Sequence, residues 1–411
     1  MNNTTTLRTE APIAKTIVNT TVFPILFAIS FSHLLNDMMQ ATITSVYPML
    51  KSRYQLNFSQ VGMITFVFQL TASILQPFVG NYTDKRPQPY SFVIAMLFSL
   101  TGIILLAYSF GYESILVAVG LVGIGSSIFH PEASKVSYYA SGGKRGLAQS
   151  IFQLGGNGGS AIGPLLVALI VAPFGLHNLL WFNIAALIGI FVLIRVGKWY
   201  KDHLILRQTN RSKSTEGMLH LSKNKVVISV VILLVLIFSK YFYLASMTSY
   251  FTFYLIDKFH VTVQQSQFYL FIFLGAVAAG TLLGGSLGDK FGRKIIIWIS
   301  ILGAAPFTLL LPYANLFWTG ILAAVIGLII ASAFSAILVY AQELLPGKIG
   351  MVSGLFFGFA FGMGGLGSAL LGKLADHTSV AYVFSICAYL PLLGIITAFL
   401  PDLRKKLIIK N

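Results

Sequence analysis

The chain has 411 residues, of which 56% are hydrophobic and only 10% are charged, and its mean hydropathy is +0.80. Because soluble domains carry about a quarter charged residues, this composition excludes an ordinary soluble protein and predicts a polytopic membrane protein. The net charge of +16 would suggest nucleic-acid binding in a soluble protein, but membrane proteins concentrate Lys and Arg on cytoplasmic loops, so we expect no nucleic-acid partner. A single cysteine, Cys387, excludes a disulfide framework and a cysteine-based metal site.

Apolar segments of about 20 residues, the length that crosses a bilayer as a helix, recur along the chain. We predict about twelve of them, near residues 23–50, 58–82, 90–110, 114–138, 147–172, 178–197, 226–256, 266–288, 295–313, 316–340, 349–373 and 380–400. We therefore expect an all-α membrane protein whose twelve transmembrane helices form two six-helix pseudo-symmetric halves. Its parts would be a cytoplasmic tail, a first bundle, a basic cytoplasmic linker, a second bundle and a second tail, over residues 1–22, 23–197, 198–225, 226–400 and 401–411.

Positive charge predicts the orientation of these spans. If both termini are cytoplasmic, 23 of the 28 Lys and Arg residues fall on the inner side, which is the excess that cytoplasmic loops carry. The basic linker 198–225 should then skirt the inner leaflet of the bilayer.

The two halves repeat one pattern. Asp84, in the motif GNYTDK, follows the second span, and Asp289, in GSLGDK, follows the eighth. The triplets that end in His33 and Lys240 stand at nearly the same offset, in the first and seventh spans. Parallel six-helix repeats build one large transporter architecture, whose substrate site lies at the repeat interface near mid-membrane. We therefore expect His33 and Lys240 to lie on opposite sides of a central cavity.

A polar stripe runs along the first span. His33, Asn36, Asp37 and Gln40 recur at helical spacing, so they share one helix face. An unpaired carboxylate costs at least a few kcal/mol in hydrocarbon, and this face should therefore meet protein or a water-filled cavity. His33 and Asp37 are candidates for proton coupling, and His33 also for substrate binding, since burial and neighbouring charge can tune a group to exchange protons near neutral pH. The alternative is a buried lock that holds the bundle together.

Lys240 is the only lysine in the middle of a predicted span, and Tyr243 and Tyr250 follow it at helical spacing. We predict that all three bind substrate, with the Lys240 ammonium as a point charge for an anionic oxygen. The alternative is a structural ion pair between Lys240 and a carboxylate such as that of Asp37.

The fourth span carries His130, Glu132 and Lys135 near its inner end. His130 and Glu132 lie deeper, and we consider them for proton coupling or gating. An interfacial charge cluster, with Lys135 extended to the headgroups, is the alternative.

Neutral amides occupy single helix faces elsewhere. Gln69 on the second span, with Gln153 and Asn157 on the fifth, could line the cavity and bind substrate, or could only bond neighbouring helices. Glu343, near the inner end of the tenth span, could close an inner gate or cap a helix–loop junction.

The loop GSLGDKFGRK, over residues 285–294, resembles the loop signature of the major facilitator superfamily. The first-half copy keeps Asp84 but ends in Arg86-Pro87, so it is degenerate. In that family this loop holds the two halves together on the inner face through charge and helix-dipole contacts. The resemblance therefore implies gating roles for Asp84, Asp289 and Arg293.

Longer motifs resemble a narrower group, the fosmidomycin-resistance family of bacterial inner-membrane exporters. They are SHLLNDM, FHPEAS, GLAQSIFQLGGNGG, FSKYFY and AQELLPGKIGMVSGLFFGFAFGMGGLG. The resemblance implies export of a small anionic phosphonate antibiotic in exchange for protons by a monomer in the inner membrane. It implies that Lys240 binds the anion, that His33 and Asp37 handle the proton, and that no cofactor is needed.

Other chemistries find no support in the sequence. The seven histidines lack metal-ligand spacing, no phosphate-loop motif follows a strand, and no nucleophile–base set suggests an enzyme. An importer or symporter of a small organic anion is the main alternative function. A membrane sensor without transport is a weaker one, because the chain has no soluble output domain.

Overall fold

The computed structural model describes residues 20–56, 58–210, 222–261 and 263–403. Most of the two predicted tails and the middle of the predicted linker lie outside these ranges. Within them, every element is a helix. The α-helices are α1 (Phe23–Ser45), α2 (Tyr47–Tyr54), α3 (Phe58–Lys85), α4 (Ser91–Ala107), α5 (Tyr112–Ala140), α6 (Arg145–Leu166), α7 (Ala172–Phe174), α8 (Phe182–Asn210), α9 (Lys223–Phe259), α10 (Val263–Phe291), α11 (Arg293–Ile301), α12 (Ala305–Leu310), α13 (Leu316–Ala331), α14 (Ala333–Leu344), α15 (Ile349–His377) and α16 (Val380–Cys387). A π-helical turn covers Val167–Val171, and 3₁₀ segments cover Leu176–Trp181, Leu302–Ala304, Leu311–Tyr313 and Leu390–Phe399.

The fold is that of a multi-pass membrane protein. In the described ranges, 8 helical stretches are long and apolar enough to cross a membrane: Tyr112–Ala140, Leu176–Leu206, Lys223–Thr248, Ile272–Phe291, Arg293–Tyr313, Leu316–Leu344, Ile349–Ala375 and Val380–Phe399. Helix α4 is apolar but shorter. Helices α1 and α6 are long enough but are not among these eight stretches, and each carries polar residues noted in the sequence.

The last helix of the first bundle is longer than its predicted membrane span. Helix α8 continues to Asn210, well past the predicted end of the bundle at residue 197. The first part of the predicted linker is therefore helical.

Helices of opposite halves touch backbone to backbone at the end of the bundle where Asp84 and Asp289 lie. There α3 crosses α15, and a Cβ built on Gly80 would lie 2.0 Å from the Gly350 carbonyl oxygen. Helix α10 crosses α6 in the same way, and a Cβ on Gly285 would lie 1.9 Å from the carbonyl oxygen of Gly146. Only glycine permits such a close approach of two helix backbones. At both crossings the two halves are therefore in direct contact, with no gap between them.

The gap between α3 and α15 widens away from this end. A Cβ on Gly354 would lie 2.2 Å from an α3 backbone oxygen, and one on Gly358 would lie 2.5 Å from another. At Gly365 the nearest α3 atom is 3.9 Å away, and at Gly362 nothing lies within 4 Å. The halves thus meet tightly at one end and diverge toward the middle of the bundle.

Candidate functional site

A cavity of about 140 Å³ lies between the two halves. Its wall includes residues of α1, α6 and α9 that the sequence singled out, namely His33, Asp37, Gln153, Asn157 and Lys240. Much of the remaining cavity wall consists of Tyr241, Thr281, Phe334 and Phe361. The charged residues that the repeat assigned to opposite halves therefore face one space.

Lys240 is buried without a carboxylate partner among the described residues. The residue is only 3% exposed, and its Nζ donates a long hydrogen bond of 3.5 Å to the Ala331 carbonyl. The ammonium also lies over two aromatic rings, 5.3 Å from the centroid of Tyr241 and 5.4 Å from that of Phe334. Cation–π contacts soften the loss of hydration but leave the positive charge without a counter-ion.

Asp37 is engaged by two histidines and not by Lys240. Its Oδ2 lies 3.2 Å from His33 Nε2 and its Oδ1 lies 3.5 Å from His130 Nε2. The two Nε2 atoms lie 3.2 Å from each other. Helices α1 and α5 thus bring three proton acceptors to one point beside the cavity, and we call His33, Asp37 and His130 the acid–imidazole cluster.

The donor atoms of the acid–imidazole cluster all lie within 4.8 Å of one another, so this set could hold a divalent metal ion as well as a proton. The sequence offered no such indication, because His33 and His130 are far apart in the chain. Only the packing of α1 against α5 joins them.

The predicted amides divide by position. Gln153 lines the cavity, and its Oε1 is buried with no hydrogen-bond partner in the described part of the chain. Asn157 also lines it and donates from Nδ2 to Thr281 Oγ1, 3.1 Å away in the other half. Gln69 lies outside the lining, close to Gly365 across the interface. Thr281 was missed, although the repeat sets it at the position that Gln76 holds in the first half.

The structure does not bring Tyr243 and Tyr250 to the cavity. Tyr243 is 1% exposed and packs in the apolar core of the second half, where its hydroxyl has no partner among the described residues. Tyr250 donates to the Ser368 carbonyl at 2.6 Å. The face of α9 that meets the cavity carries Lys240, Tyr241 and Leu244 instead.

Glu132 lies away from the cavity, in a buried charge network at the closed end. Lys135 Nζ lies 2.7 Å from Glu132 Oε1 and 3.2 Å from Asp84 Oδ1. It also donates to Thr83 Oγ1 at 2.9 Å, while the Thr83 hydroxyl donates to Glu132. Lys135 and Glu132 are both essentially unexposed, so Lys135 does not extend to the headgroups.

The two loop aspartates cap helices of the opposite half. Asp84 accepts hydrogen bonds from the backbone N–H groups of Gly350 and Met351, both at 2.9 Å, at the start of α15. Asp289 accepts from those of Gly146 at 3.0 Å and Leu147 at 2.9 Å, at the start of α6. A carboxylate at a helix N-terminus satisfies unpaired donors and meets the positive end of the helix dipole.

Charged side chains extend the second of these caps. Arg293 Nη1 lies 2.7 Å from Asp289 Oδ1, and its Nη2 lies 3.3 Å from Glu343 Oε1. Glu343 also lies 3.7 Å from Arg145 of the first half. Glu343 therefore bridges the two halves.

Comparisons with known proteins agree with the resemblance that the motifs carry. A model of the Major Facilitator Superfamily matches residues 29–366 and, in a second overlapping match, 241–410. The fosmidomycin resistance protein of Escherichia coli (strain K12) is 60% identical over 394 residues, which cover 96% of this chain and 96% of that protein. YfnC of Bacillus subtilis (strain 168), named an uncharacterized MFS-type transporter, is 42% identical over 94% of this chain and 95% of its own.

A crystal structure of the transporter FucP in the outward conformation superposes with a TM-score of 0.72 at 14% identity, covering 93% of this chain and 99% of that one. At that identity the likeness concerns the fold alone. Family model, relatives and fold agree, and the chain belongs to the Major Facilitator Superfamily of membrane transporters.

Proposed function

We propose that this transporter exports a fosmidomycin-like phosphonate antibiotic, together with other drugs, from the bacterial cytoplasm in exchange for protons. The name of the 60% identical relative supports the substrate. The observation that carries the proposal is the buried Lys240 side chain, which faces a central cavity without a carboxylate partner in the described ranges. An anionic substrate would supply the missing counter-charge, since a buried cation needs a partner.

Further features complete this proposal. We infer twelve membrane spans, with α1, α3, α4 and α6 added to the eight apolar stretches, in a monomer of the inner membrane with both termini cytoplasmic. The distribution of Lys and Arg supports this orientation. Protons are the coupling ion, and no other cofactor is required.

The closed end of the bundle would then face the cytoplasm. The caps made by Asp84 and Asp289, with the Arg293–Glu343 contact, would hold the cavity shut on that side. Rocking of the two halves would break these contacts and open the cavity inward, as alternating access requires. Glu132 belongs with this gate in our proposal and not with proton coupling.

Replacing the central cation tests the proposal. Charge-assisted hydrogen bonds are worth about 1.5–3 kcal/mol, so Lys240→Met should lower fosmidomycin tolerance of expressing cells by roughly ten- to a hundredfold. Lys373→Met is the matched control, because Lys373 is exposed at the far end of α15. Membrane levels of both variants are compared by immunoblot. Full tolerance with Lys240→Met at the wild-type level would contradict the proposal.

Proton-coupled symport of an organic anion is the second candidate. The cavity places a cation and a protonatable cluster side by side, and charge alone would make a bound anion favour proton binding. The direction in which the drug moves under an imposed proton gradient separates the two candidates.

A further inference from the structure

The hydrogen bonds of the acid–imidazole cluster fix the tautomers of both histidines. His33 Nδ1 lies 2.8 Å from the carbonyl oxygen of Phe152, and His130 Nδ1 lies 2.9 Å from that of Ser126. A carbonyl oxygen can only accept, and the Ser126 hydroxyl, 3.3 Å from His130 Nδ1, donates its hydrogen to Gln40 Oε1. Each Nδ1 therefore carries a hydrogen. In a neutral ring the Nε2 atom is then a bare acceptor. The two Nε2 atoms nevertheless lie 3.2 Å apart, with the Asp37 carboxylate against both.

We propose that this cluster is a proton site that binds a single proton, shared by His33, His130 and Asp37. With no proton, the two Nε2 lone pairs and Asp37 Oδ2 would face one another with no hydrogen between them, which is repulsive at these distances. With two, a pair of imidazolium rings would stand in contact as like charges. One proton supplies the donor that the observed arrangement lacks. The coupling role of this site rests on the proposed function above, but its proton count does not.

Neighbouring amides indicate where the proton sits. Asn36 Nδ2 and Gln40 Nε2 both donate to Asp37 Oδ1, at 3.1 and 3.2 Å, which stabilises the carboxylate as an anion. Asp37 Oδ2 is left to accept from His33. The proton therefore resides on His33 Nε2, between Asp37 and the His130 ring.

The surroundings isolate this proton. Helix α6 contributes neutral Gln153 and Asn157 to the cavity, and α15 packs Phe357 and Phe361 against the His130 ring at centroid distances of 5.4 and 5.2 Å. In the described part of the cavity wall, the other charged group is Lys240 of α9. Besides the cluster, the ionisable side chains of the described cavity wall are therefore Lys240 and Tyr241.

A single shared proton also gives a physical route to antiport. Charge alone would let a bound anion retain the proton, so opposition between drug and proton has to be steric. The proton holds His33 against His130, whereas its loss leaves facing lone pairs that separate the rings and widen the cavity on the α1 side. The wider cavity admits the drug beside Lys240, and a returning proton closes it.

Calorimetric proton counting tests the site. Full-length transporter in detergent is titrated with fosmidomycin in buffers of different ionisation enthalpy, over a pH series from about 5 to 9 around the histidine range. We expect the number of protons released per bound drug to be one at the acidic end of the series, where the site holds its proton, to fall toward zero at the alkaline end, and never to exceed one. His130→Gln keeps a neutral polar group near the Nε2 position and should abolish the exchange, while His377→Gln, at an exposed site, should leave it at one.

The outcomes separate the proton site from the transport proposal. Two protons per drug, none at any pH, or one that persists in either His130→Gln or His33→Gln would overturn the single-proton site. One proton taken up instead of released would keep the site and overturn antiport. If no drug binds, infrared titration of isotope-labelled histidine counts the protons directly. As the pH rises, the wild type should lose the signal of one imidazolium from the cluster, and the His33→Gln and His130→Gln variants should show no such loss. A divalent metal retained after EDTA in wild type but not in His130→Gln would overturn the proton assignment.

Discussion

Different side chains of α9 serve substrate binding and helix packing. Tyr243 and Tyr250 share a helix face that packs into the second half, and Lys240 projects from the neighbouring face into the cavity. Contributions of these tyrosines should therefore appear in stability and not in drug affinity.

Removing the two hydroxyls tests this division. Tyr243→Phe deletes a buried hydroxyl without a partner in the described ranges, so thermal stability should stay equal or rise slightly. Tyr250→Phe deletes the bond to the Ser368 carbonyl and should cost about 1 kcal/mol. Melting of purified protein and drug binding by calorimetry give both quantities. A tenfold loss of affinity in either variant would mean that the cavity extends to this face.

Residue spacing predicted which side chains share a face, but not what that face meets. The stripe of His33, Asp37 and Gln40 was visible because polar residues at helical spacing contrast with an apolar span. On α9 the aromatic residues around Lys240 gave no such contrast, and the packing of the second half selects which of them reaches the cavity. The contact between His33 and His130 required two helices to meet, so no local pattern could reveal it.

At the scale of helices, each half caps a helix of the other half with an aspartate, but the basic residue that supports the aspartate differs between the halves. In the second half Arg293, one turn after Asp289, supports the carboxylate from its own loop motif. The first-half loop lacks that arginine, and Lys135 reaches Asp84 from the neighbouring helix α5. The degenerate motif was read from the sequence, whereas its replacement by Lys135 depends on the crossing of α3 and α5.

A glycine substitution on α10 tests whether the close crossing is part of the transport cycle. Gly285→Ala would set a Cβ 1.9 Å from the Gly146 carbonyl oxygen, and such overpacking costs about 1–3 kcal/mol in the closed state. We expect a several-fold gain in thiol labelling of a Ser353→Cys reporter in a Cys387→Ser background, measured from the side of the membrane on which the closed end lies. Gly275→Ala on the same helix meets nothing within 4 Å and is the control. Equal labelling of the two variants would show that this crossing does not close the cavity.

For the whole molecule, composition and repetition carried the prediction furthest. A 10% charged chain with two parallel repeats leaves few architectures, and the family match confirms an all-helical fold of the Major Facilitator Superfamily. The internal repeat also predicted that the stripes of α1 and α9 would approach one cavity, since equivalent positions of two halves face their shared interface. The sequence could not predict which end of the bundle is closed, because the same sequence must support both the inward-open and the outward-open state of the transport cycle.

The direction of coupled transport is the most direct test of the central claim, that a proton entering from outside drives the drug out. Inside-out membrane vesicles containing the transporter are loaded at acidic pH and diluted into alkaline buffer with labelled fosmidomycin. Because the vesicle interior corresponds to the outside of the cell, the account predicts drug accumulation that collapses with an uncoupler and is absent with Lys240→Met. Accumulation under the opposite gradient, or accumulation that no gradient affects, would contradict it.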